Sequence, residues 1–129
     1  SIVKAAKDQI LKNVGVAYID LNGLKAINDN YGHSNGDKFI CTAADTFKMV
    51  FPDNSYRVGG DEFVIIEQNI ERDKYEERIT ALKNIMQDKQ VSISIGVLWR
   101  EYVDDLEELL KAADKLMYKE KEMYHNNRE

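Results

Sequence analysis

The chain has 129 residues, 43% of them hydrophobic and 32% charged, with a formal net charge of −5. That length suits one domain around one core, and the acid excess argues against a broad basic face for nucleic acid. No apolar run approaches the roughly 20 residues a membrane span needs, no signal peptide is visible in "SIVKAAKDQI", and the single cysteine, Cys41, excludes an internal disulfide.

Ile2, Ala6 and Ile10 recur every four residues and predict the tail of a helix over 2–12. Val14–Asp20, "VGVAYID", is apolar on both alternating faces and predicts a buried central strand. Leu24–Asp29 reads as a short helix stopped near Gly32. Ser34 then offers an N-cap for a longer helix over Asn35–Val50, with Phe39, Ile40, Ala43, Ala44 and Phe47 at helical spacing. Cys41 falls inside that helix, where a buried structural thiol in a reducing compartment is expected. Pro52 marks a turn. "SYRV" and "EFVIIE" flank Gly59 and Gly60 and predict a β-hairpin. A helix follows over Glu71–Gln87, with Tyr75, Ile79, Leu82 and Ile85 on one side, then a strand over Val91–Trp99. A last helix spans Asp104–Tyr124, built on Leu106, Leu109, Leu110, Ala113, Leu116 and Met117. This order favours an α+β fold, a mainly antiparallel sheet with helices packed on it, in the split β-α-β-β-α-β arrangement.

The chemistry-bearing stretch is "DLNGLKAINDNYGHSNGD", Asp20–Asp37. A carboxylate at the end of an apolar strand is costly unless it is solvated, paired or metal-bound. A calcium loop fails, because the sixth position is Lys25 rather than Gly and the twelfth is Tyr31 rather than Glu. Two readings remain. Asp20 and Asn22 could cap the following helix, or the strand end could belong to a nucleotide site. For the second, a hairpin turn beside the strand would bring Asp61 and Glu62 near Asp20. Such carboxylates hold magnesium, which bridges phosphate oxygens. Gly59 and Gly60 would allow a tight turn and let phosphates approach the backbone. Lys25 offers a positive charge. Asp37 can accept the paired N1–H and N2 donors of guanine, which adenine lacks.

These residues fall into spaced motifs. Gly59, Gly60, Asp61, Glu62 and Phe63 form one. Asp20, Asn22, Leu24, Lys25, Ile27, Asn28, Asp29, Gly32, His33, Gly36 and Asp37 form a second. Ser92–Val97 forms a third, and Ala113, Asp114, Met117, Tyr118 and Lys121 a fourth. In this order the chain resembles the GGDEF domain of diguanylate cyclases, which join two GTP molecules into cyclic di-GMP. The resemblance implies a five-stranded, mainly antiparallel sheet flanked by helices, a ferredoxin-like, nucleotidyl-cyclase-like β-α-α-β-β-α-β core. It implies that Asp20, Asp61 and the Leu21 backbone carbonyl hold Mg²⁺ (or Mn²⁺), with Glu62 beside them. Asp61 would also be the general base. Asn28 and Asp37 would read guanine, with His33 at the base and ribose, and Lys25 and Lys121 would contact phosphates. Each domain would hold one GTP, so catalysis would need a homodimer.

Three departures stand out. The family's D-x-L-T-G-L-x-N-R opening is absent, so the chain is expected to be one domain of a longer cytoplasmic or membrane-anchored signalling protein with sensor segments. The R-x-x-D product-inhibition motif has Val50 in place of Arg while Asp53 is retained, so an inhibitory site is not expected. His125 stands where a phosphate-binding Arg is expected. The alternative to an active cyclase is a catalytically weak or inactive GTP-binding regulatory domain.

Overall fold

The computed structural model describes residues 9–127. Strand β1, Leu11–Leu21, sends Val14 and Val16 to one face of the sheet and Ala17, Ile19 and Leu21 to the other. Both sets are buried, so this strand must lie inside the sheet with cover on both sides. The sheet has the order β2-β3-β1-β4, with β2 Ser55–Arg57, β3 Glu62–Glu67 and β4 Ile93–Val103. Every neighbouring pair is antiparallel.

The described residues form four helices, α1 Leu24–Tyr31, α2 His33–Val50, α3 Arg72–Asp88 and α4 Leu106–Asn127; α2, α3 and α4 pack on the sheet, while α1, which buries no residue, packs on α2. Ala43 and Phe47 of α2, with Tyr75, Ile79, Leu82 and Met86 of α3, cover one face. Leu106, Leu109 and Ala113 of α4 cover the other. The result is the expected split β-α-β-β-α-β arrangement with an additional helix after β1 and another at the end.

The sequence expectations need several corrections. The sheet has four strands among the described residues, not five. The helix expected over 2–12 lies outside the described residues up to residue 8. Leu11 and Lys12 instead open β1, paired with Val103 and Tyr102. That same pairing carries β4 beyond Trp99. Helix α2 begins at His33 with Gly32 as its N-cap, so no Ser34 side chain is used. In α3 the buried position is Met86, while Ile85 is only half-buried. Cys41 is exposed, because α2 turns Gly36, Ala43, Thr46 and Phe47 inward and Cys41 sits off that stripe.

Gly96 sets how closely α4 lies on β4. A Cβ there would collide with the Ala113 carbonyl and the Met117 amide of the helix backbone, which cannot yield like a flexible side chain. Gly96→Ala is therefore expected to destabilise the domain by about 1–3 kcal/mol in urea unfolding; an unchanged midpoint would mean that α4 can move off the sheet freely.

Candidate active site

Phe63 packs on Phe47 of α2 with ring centroids 4.8 Å apart, which anchors the β2–β3 turn in the core. The turn closes where the Val58 and Gly59 amides donate to the Glu62 carbonyl at 3.0 and 3.4 Å. Strand register then fixes the neighbours of Asp20, which faces Glu62 on β3 and Ser94 on β4. One residue further on, the Leu21 amide donates to the Asp61 carbonyl at 2.9 Å. The strand end and the glycine turn are adjacent.

The capping reading of Asp20 and Asn22 is overturned. Helix α1 starts from Gly23, in the left-handed region at φ 82°, with no side-chain cap. Asn22 is buried and bonds sideways: its Nδ2 donates to Ser92 Oγ at 3.1 Å, and Ser94 Oγ donates to its Oδ1 at 3.0 Å. The two serines of the Ser92–Val97 motif thus lock the exit from β1.

Asp20 is 7% exposed. Its Oδ2 accepts from Lys121 Nζ at 2.5 Å, across 101 residues of sequence, while its Oδ1 is buried without a partner among the described residues. Burial pushes the Asp20 pKa up and the Asp61 charge adds to this, while the hydrogen bond and charge of Lys121 oppose it. Glu62 is also raised, first by burial, then by Asp20, Asp114 and Asp61, with Lys121 opposing. Tyr18 is raised by burial and by Glu62, Asp114 and Asp20. One lysine therefore stands among four carboxylates that feel one another.

A cleft of about 310 Å³ opens beside this cluster. Leu21, Lys25, Asp61, Lys121 and His125 line it, along with Tyr124. Neither Tyr124 nor Arg57 was singled out for a role from sequence. Asn28 is half-buried on α1 with its Oδ1 against Gly36 of α2, where that oxygen has no partner among the described residues. His33 and Asp37 are exposed on α2, and none of these three lines the cleft. Gly59 and Gly60 are not in the left-handed region, so the turn itself does not demand glycine. A Cβ on Gly60 would meet nothing within 4 Å. No group of three or more His, Cys, Asp or Glu side chains forms a ready cation cage among the described residues.

A family profile described as "Diguanylate cyclase, GGDEF domain" matches residues 2–127. The chain belongs to the GGDEF domain family. The signaling protein YkoW of Bacillus subtilis is 38% identical to this GGDEF domain over 124 residues, covering 85% of the chain and 15% of that protein. Diguanylate cyclase DgcS of Shewanella oneidensis is 34% identical over 116 residues, 84% of the chain and 39% of that protein. Among solved structures, the active GGEEF domain of a diguanylate cyclase from Vibrio cholerae superposes with a TM-score of 0.72 at 25% identity, covering 84% of this chain and 76% of that one. The GGDEF domain of PA1120 from Pseudomonas aeruginosa gives 0.75 at 26% identity, covering 87% and 73%. The chain thus spans well under half the length of these curated relatives. No helix among the described residues is long and apolar enough to cross a membrane.

The Glu62 shift has a testable sign. A raised carboxylate holds its proton more tightly when folded, so it costs no stability well below its ordinary value of about 4.5 and its full cost above the folded value. In metal-free buffer, Glu62→Gln is expected to raise the melting temperature at pH 7, with the gain closing as pH falls towards about 4. A gain that grows towards acid would contradict this electrostatic account.

Proposed function

We propose that this GGDEF domain condenses two GTP molecules into one cyclic di-GMP with release of two pyrophosphates. The observation that carries this reading is the union of Asp61 with the end of β1 on a cleft also lined by Lys25 and Lys121. Family membership supplies the reaction class.

A triphosphate brings roughly four negative charges to a site that already holds carboxylates. Lys25 and Lys121 offset part of that charge. The available oxygens suit a hard divalent cation: the Asp20 and Asp61 carboxylates and the Leu21 carbonyl, with Glu62 beside them. The unpartnered Oδ1 of Asp20 supports this fit. Two carboxylates with the rest left to phosphate and water is how magnesium is usually held. Bound there, Mg²⁺ (or Mn²⁺) would neutralise phosphate charge and make the 3′-hydroxyl more acidic.

The protein's own part is positioning and proton transfer. Asp61 takes the proton of the attacking 3′-hydroxyl as its oxygen bonds the α-phosphorus and the bond to pyrophosphate breaks. Asn28 and Asp37 select guanine, and His33 lies at the base and ribose. Gly60, open on the solvent side, leaves room for a phosphate to reach the backbone. Each domain binds one GTP, so a second copy must face it and the working unit is a homodimer. In place of the product-inhibition Arg, Val50 packs partly against the core while Asp53 lies in an exposed turn, so product inhibition is weak. In the longer protein, attached sensor or signalling segments control the dimer, and the domain works in the cytoplasm.

One observation favours a second reading, a GTP-binding domain without turnover: His125 lines the cleft where the family pattern has Arg. The discriminating experiment incubates a leucine-zipper-dimerised fusion with GTP and magnesium and looks for cyclic di-GMP by chromatography. Product is expected, with Asp61→Ala lowering turnover by about a thousandfold or more. GTP binding without product would replace the cyclase reading with the regulatory one.

A further inference from the structure

Arg57 ends β2 opposite Phe63. Its side chain lies on the α2 side of the hairpin, lining a groove with Ile40, Cys41 and Phe63. The guanidinium reaches back to the turn. Nε donates to the Gly59 carbonyl at 3.2 Å and Nη2 to the Gly60 carbonyl at 2.7 Å. Two successive carbonyls therefore point at one planar fork.

No peptide bond in the described chain is cis. In a trans peptide the carbonyl and the amide N–H of one plane point in opposite directions. The Gly60 N–H shares a plane with the Gly59 carbonyl, and the Asp61 N–H with the Gly60 carbonyl. Both amides must turn away from Arg57. Neither donates to a backbone carbonyl among the described residues, and the Cβ position of Gly60 faces open space.

We propose that Arg57 is a positioning residue that holds these two peptides so that the Gly60 and Asp61 amides form a two-donor site for a phosphate oxygen of the nucleotide. The proposal rests on the reading above that this turn faces the phosphates of GTP. Successive amides pointing one way are a known anion-binding arrangement. The guanidinium adds to it by polarising both carbonyls, which strengthens the opposite N–H groups as donors. A lysine cannot do the same, because its ammonium lacks the flat two-pronged geometry. Without the fork, the backbone bonds left at the turn among the described residues run from the Val58 and Gly59 amides to the Glu62 carbonyl and from the Leu21 amide to the Asp61 carbonyl, which leaves the two peptides between Gly59 and Asp61 free to rotate.

The test compares the parent domain with Arg57→Lys and Arg57→Met in three measurements: amide ¹H–¹⁵N shifts of the ligand-free protein, binding of magnesium pyrophosphate, and binding of guanosine. Both variants are expected to move the Gly60 and Asp61 amide signals and to weaken pyrophosphate binding about tenfold. Guanosine affinity and melting temperature should stay at the parent values. If Arg57→Met binds pyrophosphate as the parent does, Arg57 has no such role and the phosphate reading of the turn survives. If guanosine and pyrophosphate binding fall together with the melting temperature, Arg57 serves the fold and the proposal is overturned. If the parent itself binds no pyrophosphate, the phosphate reading and the proposal fail together.

Discussion

The contact between Lys121 and Asp20 joins the two ends of this domain. Asp20 sits at the end of an apolar strand, desolvated on both sides by β3 and β4. An isolated carboxylate there would be strongly penalised. Lys121 relieves it from α4, and that requires α4 to lie hard against the sheet. Gly96 permits the approach, since any side chain at that position would strike the helix backbone. The packing of a distant helix and the charge balance of the candidate active site are thus one constraint.

Around this pair the molecule gathers more negative charge than a single lysine can balance. Asp61, Glu62 and Asp114 all bear on Asp20 or on one another. Such a cluster is poorly stable alone and well suited to binding cations. Lys121 then behaves as a resident counter-ion for Asp20. A divalent cation arriving with phosphates would take over that charge and leave the ammonium available to the phosphates. The hairpin contributes in a different way: Phe63 fixes it in the core, and Arg57 fixes the orientation of its peptides.

Much of this was legible in the sequence, because the informative residues are short-range or strongly patterned. The two-faced burial of Val14–Asp20 announced a central strand, and the hairpin followed from glycines between β-rich runs. Proximity of Asp20 and Asp61 followed once the hairpin turn was set beside the end of the central strand. Other features were hidden because they depend on distant partners. Leu11 and Lys12 end a stretch whose Ile2, Ala6 and Ile10 have helical spacing, yet pairing with Val103 and Tyr102 makes them strand. Asn22 looked like a helix cap, but Ser92 and Ser94, some seventy residues on, claim its side chain. The fork of Arg57 on two carbonyls and the collision behind Gly96 are matters of ångströms, which no residue pattern reports.

The central claim is that Asp20 exchanges Lys121 for a divalent cation. Titrating nucleotide-free domain with Mn²⁺, and following the electron paramagnetic resonance of free ion, tests it most directly. Lys121→Met is expected to bind Mn²⁺ more tightly than the parent, because the competing ammonium is gone, and Asp20→Asn to lose the site. Equal or weaker binding by Lys121→Met would contradict the account, since Lys121 would then not be holding the cation's place.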